Sequence, residues 1–186
     1  MYLKFLWSLL RHKWFVFVEC CRLGIPWLGL IHDWSKFTPQ EFVPYAQHFK
    51  PTGGSPVDGV RDISMDYAWL HHQHRNKHHW QRWITHVQGQ APVALPMPDR
   101  YRREMLADWR GAGRAYGNPD TAAWYAKNRT SIILHPETRE WVELELLCVS
   151  RLTPVVGDAA SPPDSGEQTR TSRLAGEGST PHPPRA

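Results

Sequence analysis

The chain has 186 residues, ten of them tryptophan, and a formal net charge of +4. That length and aromatic content suit one domain with a buried core, and the mild basic balance permits anionic substrates or nucleic acid without selecting either. Cys20, Cys21 and Cys148 form no CxxC pair and no even-numbered framework, which excludes a disulfide scaffold and reads as thiols of a reducing cytoplasm.

Taken in order, the chain reads as helix after helix. Residues from about Tyr2 to Leu23 form an apolar helix, closed by Gly24 and Pro26. Arg11-His12-Lys13 and then Glu19 interrupt its apolar runs, so it falls short of the roughly 20 residues of a span and reads as a core helix. Phe5, Leu9, His12, Val16 and Glu19 share one stripe, which points His12 inward. A short helix from Pro26 ends in His32-Asp33. Thr38-Pro39-Gln40-Glu41 has the form of a capping box, and Pro44 shortens or kinks the helix it starts. Pro51 to Asp62 reads as a surface loop, with Asp62 or Ser64 capping the helix beyond it.

That next helix carries the densest signal. Five of the eleven histidines fall between Trp69 and Trp83. If the segment is one unbroken helix, His72, Asn76 and His79 share a face, while His71, His74 and His78 share the adjacent one. Neutral imidazole is a common metal ligand, and a dense histidine face beside large apolar residues suggests a metal site; a wet, polar helix face is the plainer alternative. His72 and His79 are favoured as ligands, and a kink at Arg75-Asn76 would change that choice.

Gln88 to Pro96 reads as a connector, and Pro98 opens a helix on which Glu104 and Asp108 lie one turn apart. Gly111 and Gly113 in it permit close backbone approach. Asn118-Pro119-Asp120 starts a short helix, and His135-Pro136-Glu137 starts the last one, to about Ser150. Ser131 to Leu134 is the only strand candidate. From Arg151 the composition turns to Pro, Gly, Ser and Thr without aromatics, which predicts a disordered tail over 151–186 after a helical domain over 1–150.

The order His12, His32-Asp33, later histidines, then Asp108 resembles the HD superfamily of metal-dependent phosphohydrolases. His32-Asp33-Trp34-Ser35-Lys36 is similar to its HDxGK form with Ser replacing Gly, and Ala107-Asp108 resembles its closing Ala-Asp pair. More closely, the phrases HDWSKFTPQEFVPY, AWLHHQHRNKHHW, MPDRYRREMLADWRGAGRA and LHPETR resemble an uncharacterised family of small bacterial and phage proteins, over roughly residues 11 to 145. The resemblance implies an all-α, HD-like bundle with His12, His32, Asp33 and Asp108 as metal ligands, and His72 and His79, favoured because Asn76 lies between them on one face, could hold a second ion. The mixed N/O set suits one or two ions of Mn, Fe, Zn, Co or Ni. Asp33 and Lys36 are the expected catalytic residues, Lys36 offering positive charge to a phosphate.

The expected activity is hydrolysis of a nucleotide or other small phosphoester, in the cytoplasm and away from membranes, in a pocket where tryptophans stack a base. A second reading is a nuclease of the His-Asn-His type, which needs a β-hairpin that the sequence does not signal. A third is a non-catalytic helical protein with a structural metal, binding a partner or nucleic acid. Each candidate also has an ordinary role: Asp33 can orient His32, Asp108 can pair with Arg103 or Arg110, and Lys36 can be solvated.

Overall fold

The computed structural model describes residues 1–49 and 62–152, and among them the architecture is all-α. Helix α1 (Tyr2–Arg22) is followed by α2 (Pro26–Ile31), a 3-10 turn over Trp34–Phe37, α3 (Pro39–Gln47) and α4 (Ile63–Arg75). A second 3-10 turn over Trp80–Trp83 leads into β1 (Ile84–Thr85) and β2 (Val93–Ala94), then α5 (Asp99–Tyr116), α6 (Thr121–Asn128) and α7 (Pro136–Leu152). Asp62 caps α4 by accepting from the Ser64 backbone N–H, and Asp120 caps α6 by accepting from that of Ala123. Most of the expected loop and nearly all of the expected disordered tail lie outside the described residues. No described helix is long and apolar enough to cross a membrane.

Three local expectations are corrected. The strand candidate Ser131–Leu134 is not a strand; Ile132 and Leu134 instead drop into the core between α6 and α7. The strands lie earlier, an antiparallel pair with Ile84 opposite Ala94 and Thr85 opposite Val93, each too short for an alternating pattern to be read. None of the clustered histidines lies on either strand. Thr38 does not close a capping box: its hydroxyl bonds the Ser35 carbonyl, while Glu41 turns into the protein interior.

Two apolar clusters hold the helices. One, around Phe5, Leu9, Tyr45, Ala46, Met65 and Ala68, joins α1, α3 and α4. The other, around Met105, Leu106, Tyr125, Val142 and Leu146, joins α5, α6 and α7. Helices α1 and α5 run against each other between them, with Val16, Cys20 and Ala107 buried at the contact. The polar residues singled out in the sequence fall in the layer between these clusters.

Candidate metal centre

Asp33 is the pivot of that layer. It follows the end of α2 in the left-handed region, at φ 52° and ψ 27°, among the described residues the only non-glycine there. A left-handed conformation costs an ordinary L-residue roughly 1–2 kcal/mol, and Asp tolerates it better than most. The reversal lets two adjacent side chains, His32 and Asp33, both turn inward, and each is 1% exposed. Lys13 of α1 helps to fix the turn, because its ammonium donates to the carbonyls of Leu30 and His32.

His12 and Asp108 meet because α1 and α5 approach closely. A Cβ at Gly111 would lie 2.5 Å from Val16 Cγ2 and 2.7 Å from Val16 N, so only glycine permits this contact. One turn before each of these positions, His12 Nε2 comes within 3.2 Å of Asp108 Oδ1. Farther along, Glu19 of α1 accepts from Arg114 of α5 at 2.7 Å, which fastens the same pair of helices.

The histidine stretch is not one helix. Helix α4 stops at Arg75, and Asn76 is extended at φ −101° and ψ 115°. Its amide donates to Ser35 Oγ at 2.7 Å and to the His72 carbonyl at 2.9 Å, pinning the break against the turn that follows Asp33. The chain then carries His78 and His79 back toward His72, with ring centroids of His72 and His79 4.6 Å apart and those of His78 and His79 4.2 Å apart. The helical-face argument for His72 and His79 therefore does not apply, although both are buried in the cluster. His78, set on the other face by that argument, joins them.

The inward atoms form two donor sets that share Asp33. On one side, Asp108 Oδ1 lies 3.2 Å from His12 Nε2 and 3.4 Å from His32 Nε2, and the two imidazoles face Asp33 Oδ2 at 3.6 and 3.4 Å. On the other, His72 Nε2 and His78 Nε2 lie 3.3 and 3.4 Å from Asp33 Oδ1, with His79 grouped beside them. Four ligands at about 2.1 Å around a tetrahedral ion stand about 3.4 Å apart, so the spacing fits donors facing a common cation. His12 Nε2, His32 Nε2, Asp33 Oδ1, Asp108 Oδ1 and the Nε2 atoms of His72, His78 and His79 are buried without a hydrogen-bond partner, whereas Asp33 Oδ2 meets the Lys36 ammonium. Leaving so many polar atoms unsatisfied in an interior is costly, and a bound cation would satisfy them together.

A surrounding layer aims the imidazoles. His32 Nδ1 and His78 Nδ1 face the same Glu104 oxygen at 3.1 and 3.2 Å, and His72 Nδ1 faces Glu41 Oε2 at 2.8 Å. An ionised carboxylate only accepts, so these Nδ1 atoms carry the proton and Nε2 keeps its lone pair for the centre. His71 is turned away, bonded to the other Glu41 oxygen at 2.8 Å and partly exposed. The sequence reading missed His78 as a favoured ligand, and Glu41 and Glu104 as orienting groups. Glu104 had a signal in its one-turn spacing from Asp108; Glu41 was hidden by the capping-box pattern.

The charges suit cation binding. Burial opposes ionisation of Asp33 and Asp108, but the facing imidazoles hold both carboxyls well below the ordinary range, with Lys36 adding to the effect on Asp33. Burial, together with His78 and His72, pushes His79 well below its usual value and keeps it neutral. Burial disfavours a charged His32, yet Asp33, Asp108 and Glu104 outweigh it and raise its pKa. A proton there stands in for a cation. Lys36 is buried, with its ammonium 2.7 Å from Asp33 Oδ2; that pairing outweighs desolvation and raises its pKa further. Lys36 therefore borders the first donor set instead of reaching into solvent.

A cavity of about 390 Å³ between α3 and α4 has Tyr67, Leu70, His71 and His74 in its wall. Trp69 packs against the rings of His72 and His79, at 5.8 and 5.2 Å.

Residues 1–146 match a family described as "Family of unknown function (DUF5662)". No curated protein and no solved structure matches the chain.

Proposed function

The chain belongs to the DUF5662 family, whose function is unknown, and we propose that its buried histidine–carboxylate layer is the two-ion centre of a phosphohydrolase. The observation that carries this reading is the division of Asp33 between two buried donor sets. Oδ2 faces His12 and His32, while Oδ1 faces His72 and His78. A carboxylate so shared is suited to bridge two cations, with Asp108 closing one set and His79 the other. The likeness of the His12, His32-Asp33 and Asp108 order to HD phosphohydrolases supports the same reading.

A pair of divalent ions supplies water activation near neutral pH and stabilises the attacking and leaving oxygens of a phosphoryl group. The chain's own residues set the conditions for that chemistry. Glu41 and Glu104 hold three imidazoles with Nε2 inward, so the centre needs little reorganisation when charge develops. Lys36 keeps a positive charge beside Asp33, and its role in this reading is to offer that charge to a phosphoryl oxygen. Burial of the whole layer lowers the local dielectric and strengthens these interactions. The substrate class that suits a small cationic centre is a nucleotide or another small phosphoester.

The same burial favours a second reading, a structural metal in an accessory protein, because a closed coordination sphere leaves no place for substrate. Metal analysis of untagged protein, followed by phosphate release from a nucleotide panel with Mn²⁺, Fe²⁺, Co²⁺, Ni²⁺ or Zn²⁺, separates the two. Bound metal with turnover that Asp33→Ala abolishes supports the hydrolase. Bound metal without turnover under any ion supports the structural role, and absence of metal binding removes both.

A further inference from the structure

Helix α1 is apolar on two opposite faces. Phe5, Leu9, His12 and Val16 face the interior, whereas Leu3, Trp7, Leu10 and Trp14 recur at spacings of four, three and four on the far side. Leu3, Trp7 and Trp14 are 81%, 73% and 62% exposed. Helix α2 packs beside α1 through Gly29, where a Cβ would lie 2.7 Å from that of Cys20. Trp27 in α2 and Trp34 in the turn after it are each 68% exposed as well, and the Lys13 ammonium of α1 lies 5.9 Å from the Trp34 ring. Four such indoles leave on the order of 500 Å² of aromatic surface in solvent over α1, α2 and the turn after α2.

The charge around this surface has one sign. Residues 1–31 contain Lys4, Arg11, Lys13 and Arg22 but only one acid, Glu19. Glu19 is buried and already paired with Arg22 and Arg114. Lys4 and Arg11 are exposed at the margin of the tryptophan stripe.

We propose that the α1–α2 face docks on the surface of an anionic lipid bilayer, with α1 lying in the plane of the interface. Tryptophan rings partition to the headgroup boundary, leucines enter the acyl region beneath it, and lysine and arginine meet the lipid phosphates. A second copy of the chain fits less well, since its matching face would bring more Lys4 and Arg11 and no acid to neutralise them. Surface attachment departs from the expectation of a protein away from membranes, which rested on the lack of a spanning segment. This inference goes beyond the metal centre: His12 leaves the opposite face of α1, so the docking face and the centre can be tested apart.

The test is flotation of the full chain with phosphatidylcholine vesicles, with and without phosphatidylserine, at low and high salt. The expected result is binding to the anionic vesicles that weakens as salt rises. Trp7→Ser with Trp14→Ser, and separately Lys4→Glu with Arg11→Glu, should each weaken that binding about tenfold or more. Both variants should keep the wild-type circular dichroism and metal content, since the altered residues are exposed. No flotation with anionic vesicles overturns the proposal, as does flotation undiminished in both variants. A concentration-dependent dimer lost in the tryptophan variant, without flotation, assigns the face to a second copy.

Discussion

At the residue scale, Asp33 combines a strained backbone with a shared carboxylate and a buried partner in Lys36. Asn tolerates the left-handed region at least as well as Asp, so Asp33→Asn should keep the turn while reducing metal content. It also leaves Lys36 buried without its counter-ion, a loss of roughly 3–5 kcal/mol where a buried pair is broken. Adding Lys36→Met should restore most of that stability without restoring metal, which urea denaturation and elemental analysis can read separately. Lys36→Met alone should keep the ions and lose mainly turnover. Cys20 gives a pH dependence outside the cluster. Burial pushes its thiol up to about 12. Above roughly pH 8.5 the unfolded chain releases this proton while the folded chain retains it. Unfolding is therefore favoured as pH rises, by up to about 1.4 kcal/mol per unit, until the folded thiol also ionises. Urea titrations at pH 8 and 10 should show a steeper alkaline loss in the wild type than in Cys20→Ala.

At the element scale, the centre depends on how closely α1 meets α5. Gly111→Ala would put a methyl group against Val16 backbone and side chain, so either helix must shift. Overpacking of this kind costs typically about 1–3 kcal/mol. The separation would also draw His12 from Asp108, so metal content should fall along with the denaturation midpoint. Unchanged metal content in a destabilised Gly111→Ala protein would show that the helix contact does not position the ligands. The end of α4 matters in the same way. Asn76 stops the helix, and its hydrogen bond to Ser35 couples the return of His78 and His79 to the turn that presents Asp33.

At the scale of the whole molecule, a polar layer separates two apolar clusters, and the donors come from α1, α5, the turn after α2, and the end and continuation of α4. A cation held there ties these elements together only in the folded state, so binding free energy adds to folding stability. With free metal at about a thousand times Kd, the gain is about 4 kcal/mol. For a chain of this size that corresponds to a rise in Tm of about 10 °C. Chelation should lower Tm by that amount and readdition should restore it; equal melting curves with and without chelator would argue against an ion bridging the two halves.

The helices and the inward stripe of α1 are legible locally, because periodicity, caps and prolines act within a few residues of one another. The sequence also marked His12, His32, Asp33, His72, His79 and Asp108, since polar groups among apolar helical neighbours stand out locally. Where the histidine helix ends could not be read this way: the break at Asn76 is held by Ser35, 41 residues away. That contact decided that His78 turns inward and His71 does not. The role of Glu41 was likewise settled by partners on another helix, His71 and His72, which outweigh the local capping pattern. The sharing of Asp33 between two donor sets was a tertiary decision too, because it needs both the left-handed turn and the simultaneous approach of α1, α4 and α5.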